Sequence, residues 1–308
     1  MGLEESEGEG RIMRIQRLYK LPGRQGVLDR PVKVKDTNIQ IIRPFDGSKI
    51  KAVLFDLDGT ISKERDGWID LMVPLFVKEL VKFAGVKQEL AQEWALEYLE
   101  LSIGAPTYVQ MKALADEVCK RGGKPRKPSY YKSLYNKELV RMVSKHRKQI
   151  GRKDLLVPGS LEFIRLVAQR FGKPNLYVGS GTDIGAVIKS MKILGLDKFF
   201  SRDNIVGAGS VKDVMADSKE IIIQQLVREK GLLRGELLTL GDGLPEIVHS
   251  YNKGGICVGV FYCITGKYKG FFTLERNRQR MINAGAHILV PDFRYAKKLL
   301  ELICSGWP

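Results

Sequence analysis

Two carboxylates close the most hydrophobic strand signal in the chain. In KAVLFDLDGTIS, residues 51–62, the apolar run Ala52, Val53, Leu54 and Phe55 stops at Asp56, and Asp58 follows two residues later. Like charges this close are costly unless a cation or a shared proton relieves them. A hard divalent ion such as Mg2+ prefers oxygen ligands and would relieve them. Other apolar runs end on complementary groups. NLYVGSGTD places Ser180 and Gly181 where a hydroxyl and backbone N–H groups can hold an anion. LLTLGDGLPE places Asp242 just past its run, with Glu246 four residues on. Lys219 lies at the start of the helical pattern SKEIIIQQLVREKG, and a helix N-terminus with a cation favours phosphate. Together these groups supply a carboxylate nucleophile, a metal site and donors for phosphoryl oxygens, the inventory of phosphoryl transfer.

The elements that must position these groups alternate along the chain. Strands are expected at 51–56, 175–179, 237–241, 256–260 and 287–290, and helices at 160–170, 183–194, 218–230 and 273–284. Strands alternating with helices imply a parallel sheet covered on both faces, with ligands bound at the carboxyl ends of the strands. Residues 62–156 break the alternation. They hold four helical patterns, at 67–83, 87–101, 107–121 and 130–150, and no strand signal. In the first, Trp68, Leu71, Met72, Leu75, Phe76 and Leu80 share one face. Residues 1–45 read as an irregular extension with an acidic tip, within which 38–43 has strand character.

Charge is concentrated in the helical insertion. Residues 120–153 contain 13 Lys or Arg and a single acid, Glu138, within a chain of net charge +16. A solvated helix face explains this, and so does a surface for a phosphate-rich partner, with Tyr130, Tyr131 and Tyr135 available for base stacking or for the buried side of the helix. At 308 residues and 44% hydrophobic, the chain can build a sizeable core. No apolar run approaches the roughly 20 residues of a membrane span. Neither a secretory signal nor a CxxC spacing is present, which fits a reducing cytoplasm. The opening MGLEES formally matches the N-myristoylation pattern, without other support for a membrane. GSGTDIG has GxGxxxG spacing rather than the GxGxxG of dinucleotide-binding turns, so it is weak support for a nicotinamide enzyme.

DLDGT, the serine after the second strand, the downstream lysine and GDGLPE occur in the order of the four motifs of the haloacid dehalogenase superfamily of phosphohydrolases, which the chain resembles over about residues 50–300. The insertion resembles that superfamily's type-1 cap, seen in phosphoglycolate-phosphatase-like and β-phosphoglucomutase-like members. The resemblance implies an α/β fold: a Rossmann-like parallel-sheet core (46–61 and 157–308), an inserted α-helical cap (62–156) and an N-terminal extension (1–45). It implies that Asp56 attacks phosphorus to form an aspartyl-phosphate, and that Asp58 is the general acid and then the base. Asp56, the Asp58 carbonyl and Asp242 would hold Mg2+, with Glu246 supporting it directly or through water. Ser180, Gly181 and Lys219 would hold the phosphoryl group, and Thr60 would orient the loop. Two departures stand out. Lys219 is not followed by proline, which leaves Lys212 as an alternative motif lysine, and Glu246 stands where many members have Asp.

The implied function is a Mg2+-dependent phosphatase for a small phosphorylated metabolite such as a sugar phosphate. Thr107 and Gln110 of the cap either face that substrate or simply begin a helix. The alternatives are a nucleotide or polynucleotide end-phosphatase using the basic segment, a phosphomutase and, outside enzymes, a nucleic-acid-binding or assembly protein. The oligomeric state is left open by these signals.

Overall fold

A computed structural model describes residues 19–210, 217–262 and 265–308. Within them the strands are β1 (Val32–Lys33), β2 (Gln40–Ile41), β3 (Ala52–Phe55), β4 (Leu176–Asp183), β5 (Ile205–Ala208), β6 (Leu237–Gly241), β7 (Ile256–Val260) and β8 (Ile288–Val290). They form one mixed sheet in the order β1-β2-β8-β7-β6-β3-β4-β5. From β8 through β5 every pairing is parallel. The two short strands β1 and β2 are added antiparallel at the β8 edge.

The central strand β3 is apolar throughout because both of its faces are covered. The pleat sends successive side chains to opposite sides. Val53 and Phe55 pack with the helices α5 (Ser160–Phe171), α6 (Ile184–Leu194) and α10 (Ala296–Ser305), while Ala52 and Leu54 meet α7 (Ser218–Glu229). Helices α8 (Leu244–Asn252) and α9 (Leu274–Ala284) cover the rest of that second face.

Four helices are inserted between β3 and α5, where the sequence lacks a strand signal: α1 (Ile69–Ala84), α2 (Gln88–Leu101), α3 (Thr107–Lys120) and α4 (Pro128–Gln149). They form a cap with a core of its own, in which Phe76, Trp94 and Tyr98 stack and Leu99, Met111 and Tyr131 are buried. One buried member of that cluster, Phe272, comes from the connection between β7 and α9, with Tyr268 and Phe271 packed beside it. The α/β core thus reaches into the cap.

Residues 19–45, read from the sequence as irregular apart from strand character at 38–43, carry β1 and, within that stretch, β2, and lie on the core. Leu28, Val32 and Val34 pack on one apolar cluster, and Tyr19, Leu21 and Val27 on another. The buried Arg43 ties this segment down. Its guanidinium donates to the carbonyls of Gly23 (2.7 Å), Ala286 (2.8 Å) and Gln25 (2.9 Å). Carbonyls from both sides satisfy a cation that would otherwise be costly to bury. The acidic tip and Lys212 lie outside the described residues. Among the described residues no helix is long and apolar enough to cross a membrane.

Candidate active site

The strand order puts β3 between β6 and β4, so the ends of three adjacent parallel strands deliver Asp56, Asp242 and Ser180 to one place. Asp56 is 3% exposed. Its Oδ1 lies 2.7 Å from Lys219 Nζ, and its Oδ2 has no hydrogen-bond partner. Burial pushes the Asp56 carboxyl well above the usual carboxylate range; Lys219 opposes this, and Glu246 and Asp242 add to it. Asp242 is pushed up to about 6 by burial and the Glu246 charge, against Lys219 and Arg280. Thr60 donates weakly to Asp242 Oδ1 at 3.4 Å. Between them, Gly59 sits at φ +87° with Asp242 Oδ2 only 2.2 Å from where a Cβ would be, so no side chain fits this turn.

Lys219 enters from the first turn of α7, where the Asp217 side chain accepts from its backbone N–H at 2.9 Å. Its Nζ is 2.7 Å from both Asp56 and Glu246 Oε2. Burial alone would lower the ammonium pKa, but the two carboxylates outweigh it and hold Lys219 above its ordinary value. Glu246 is the third residue of α8, and its Oε1 accepts from the Gly243 backbone N–H at 2.7 Å. Both oxygens of Glu246 are therefore engaged, one capping a helix and one holding the lysine.

Asp58 is oriented from several sides. Its Oδ2 accepts from Arg65 (2.5 Å), from Thr182 Oγ1 (2.9 Å) and at longer range from Ser180 Oγ (3.4 Å). Its Oδ1 has no partner. Arg65 and Thr182 are absent from the sequence expectation. Thr182 is signalled by its spacing, because residues two apart in an extended strand share a face and Ser180 lies two residues before it. Arg65 carried no such signal.

The cap roofs this floor. Its 102–106 loop, between α2 and α3, brings the Gly104 backbone against Gly243, with Lys219 Nζ 3.1 Å from a Cβ placed there. Gly181 allows the approach, since its own Cβ would meet the Gly104 carbonyl at 2.9 Å. The Gln110 amide donates to Ser102 O (3.0 Å) and Oγ (3.2 Å), so this residue shapes the loop. Arg280 joins cap and floor by donating to the carbonyls of Glu100 (3.0 Å) and Asp242 (2.8 Å). A cavity of about 100 Å³ remains, with Asp56, Asp58, Asp242, Ser180, Gly181 and Lys219 on the core side and Arg65, Asp66, Thr107, Gln110 and Tyr135 on the cap side. Glu246 and Thr60 lie beneath it rather than on its surface.

The donors suit a hard divalent cation. Asp56, Asp242 and Glu246 each offer an oxygen within 4.8 Å of the others. Buried oxygens of Asp56 and Asp58 lack any partner. All candidate ligands are oxygens, as Mg2+ prefers.

Comparison with known proteins agrees with this geometry. The sequence family described as haloacid dehalogenase-like hydrolase matches residues 50–248. No curated protein matches the chain in sequence. Among solved structures, a predicted phosphoglycolate phosphatase from Haemophilus somnus superposes with a TM-score of 0.53 at 19% identity, covering 82% of this chain and 98% of that one. A β-phosphoglucomutase from Clostridium difficile gives 0.52 at 17% identity, covering 82% and 96%. A hydrolase from Pseudomonas syringae gives 0.52 at 17%, covering 82% and 98%. At such identities the likeness is one of fold.

Proposed function

The chain belongs to the haloacid dehalogenase-like hydrolases, and from that premise we propose that it is a Mg2+-dependent phosphatase of small hydroxylated phosphate esters such as sugar phosphates. The observation that carries this reading is the unpartnered Asp56 oxygen at the floor of a cavity between core and cap, backed by Lys219 and flanked by Asp242 and Ser180.

Asp56 attacks phosphorus, and the bond from phosphorus to the leaving alcohol breaks. Asp58, aimed by Arg65 and Thr182, gives the leaving oxygen a proton. It then takes a proton from the water that attacks the aspartyl-phosphate, and the bond between phosphorus and Asp56 breaks to restore the carboxylate. Ser180 and the Gly181 N–H hold phosphoryl oxygens, and Lys219 fixes Asp56 and adds positive charge. A divalent cation held by Asp56, the Asp58 carbonyl and Asp242 would neutralise the carboxylates and the charge developing on the phosphoryl oxygens. Glu246 supports Lys219. The roof formed by residues 103–105 excludes bulk water.

The cavity wall supports a hydroxylated leaving group. Four carboxylates line it, those of Asp56, Asp58, Asp66 and Asp242, against the two cations Arg65 and Lys219. With the divalent cation bound these charges balance, so selection at the wall rests on hydrogen bonding rather than on net charge. The Asp66 carboxylate has no hydrogen bond or ion pair among the described residues, and it can accept from substrate hydroxyls. A phosphomutase would use the same catalytic residues and differ in releasing little phosphate. A polynucleotide end fits less well beneath the 103–105 roof.

Phosphate release from a panel of sugar phosphates, phosphoglycolate, nucleotides and phosphorylated oligonucleotides, with Mg2+ and with Asp56→Asn as control, tests this. Turnover of a sugar phosphate is expected, with a loss on the order of 10⁴-fold or more in the control. Release from phosphoglycolate or oligonucleotides alone would reject the substrate class, and no release from any ester would reject the phosphatase.

A further inference from the structure

The basic segment remains unused by the cavity chemistry. Of its 13 cationic residues, Arg121, Lys132, Arg141 and Arg147 are ion-paired, with Glu117, Asp183, Glu138 and Glu64. The other nine meet no acid among the described residues. Their placement is ordered by α4. Tyr131, Tyr135 and Val143 are buried in the cap, and Tyr135 reaches the cavity, which fixes the inner face of the helix. Tyr130, Leu134, Lys137, Arg141, Lys145 and Lys148 follow at spacings of three and four, so they form a stripe along the opposite face. All six are exposed. Lys124, Arg126 and Lys127 precede the helix and Arg152 and Lys153 follow it, and these five are exposed too. The stripe thus continues past both ends of a 22-residue helix, a length of roughly 33 Å. Like charges at such spacing repel, and along the stripe and its extensions only Arg141 has an acid partner among the described residues, Glu138.

We propose that this outer face of α4 docks the phosphate backbone of a nucleic acid, with Tyr130 as a stacking platform at one end. Tyr130 is 42% exposed, and its ring already carries the Arg126 guanidinium 4.8 Å from its centroid, an arrangement that suits a base as well as a phosphate. A membrane surface is the poorer match. A basic helix inserts through an apolar face, and here that face is used up inside the cap. The stripe and the cavity lie on opposite sides of α4, so docking is separate from hydrolysis and does not depend on the phosphatase reading.

The test is fluorescence anisotropy of a labelled single strand of about 20 nucleotides with the full-length protein, between about 50 and 200 mM salt. Binding is expected, with affinity falling steeply as salt rises. Replacing Lys137, Arg141, Lys145 and Lys148 together by Gln is expected to weaken binding by about tenfold or more and to flatten the log–log salt slope by about 0.7 per lost phosphate contact. A control replacing the exposed core residues Lys33, Lys35, Lys173 and Lys253 by Gln removes the same charge and is expected to leave both unchanged. If the fourfold variant does not fold, as read by circular dichroism, the pairs Lys137/Arg141 and Lys145/Lys148 carry the same comparison. Absence of binding at low salt overturns the proposal. So does equal weakening in stripe and control variants, or tighter binding to phosphatidylserine vesicles than to the oligonucleotide.

Discussion

Asp66 lines the cavity at a cost to folding stability. Burial pushes its carboxyl up to about 6, while Lys63 and His146 pull the other way. The folded state therefore holds this proton more tightly than the unfolded chain. Below about pH 4 the residue is protonated in both states and carries no penalty; stability is lost as pH rises from there through about 6, and the loss is complete above that. Asp66→Asn is expected to raise the unfolding free energy at pH 8 by an amount on the order of 2 kcal/mol, and to bring no gain near pH 4. Denaturant melts at the two pH values measure it. In the proposed reaction the same variant raises KM for a sugar phosphate by about tenfold, the worth of a hydrogen bond to a charged acceptor, and leaves p-nitrophenyl phosphate unaffected. An unchanged KM for both esters would place Asp66 outside substrate binding.

Among the elements, the connection carrying Phe272 has the largest effect for its size. Phe272 is buried in the cap cluster although it belongs to the core. Phe272→Ala is expected to cost about 3–5 kcal/mol, the range for emptying such a site, and a shift of the denaturant midpoint with unchanged slope would show it. A cost under about 1 kcal/mol would mean that the cap closes without this side chain. Nothing in the sequence announces this insertion, because the contact joins segments nearly 200 residues apart, as the bonds from the Lys267 backbone N–H to the Asp70 carboxylate also do. What could be read in advance was local. Helices α1 to α4 show apolar periodicity over several turns, and β3, β6 and β7 are largely apolar runs, with Thr239 the polar exception in β6. Short elements escaped: β5 is Ile-Val-Gly-Ala, α8 begins inside the glycine-rich GDGLPE, and β1 has two residues, whereas β2, equally short, falls within the strand character at 38–43. The site divides the same way. Asp56, Asp58, Ser180, Lys219 and Asp242 stand beside strand ends or a helix start and were legible, whereas Arg65, Asp66 and Gly104 reach the cavity only when the cap folds over the core.

At the scale of the whole molecule, stability and the proposed cofactor are linked. An ion that binds the folded chain alone stabilises it by about 2.7 kcal/mol at 100 times its dissociation constant. The melting temperature is expected to rise with Mg2+, and the rise is expected to vanish in Asp242→Asn. A rise of equal size in that variant would move the cation elsewhere. The described structure also bears on how this architecture can be cut. A helical insertion between β3 and α5 looks removable, since one loop could replace it. Yet Tyr268, Phe271 and Phe272 would remain on the shortened protein with the surface that covers them gone. Excising the cap would leave an apolar, aggregation-prone patch on the remaining domain, so a minimal soluble core would need polar replacements at these three positions as well as the deletion.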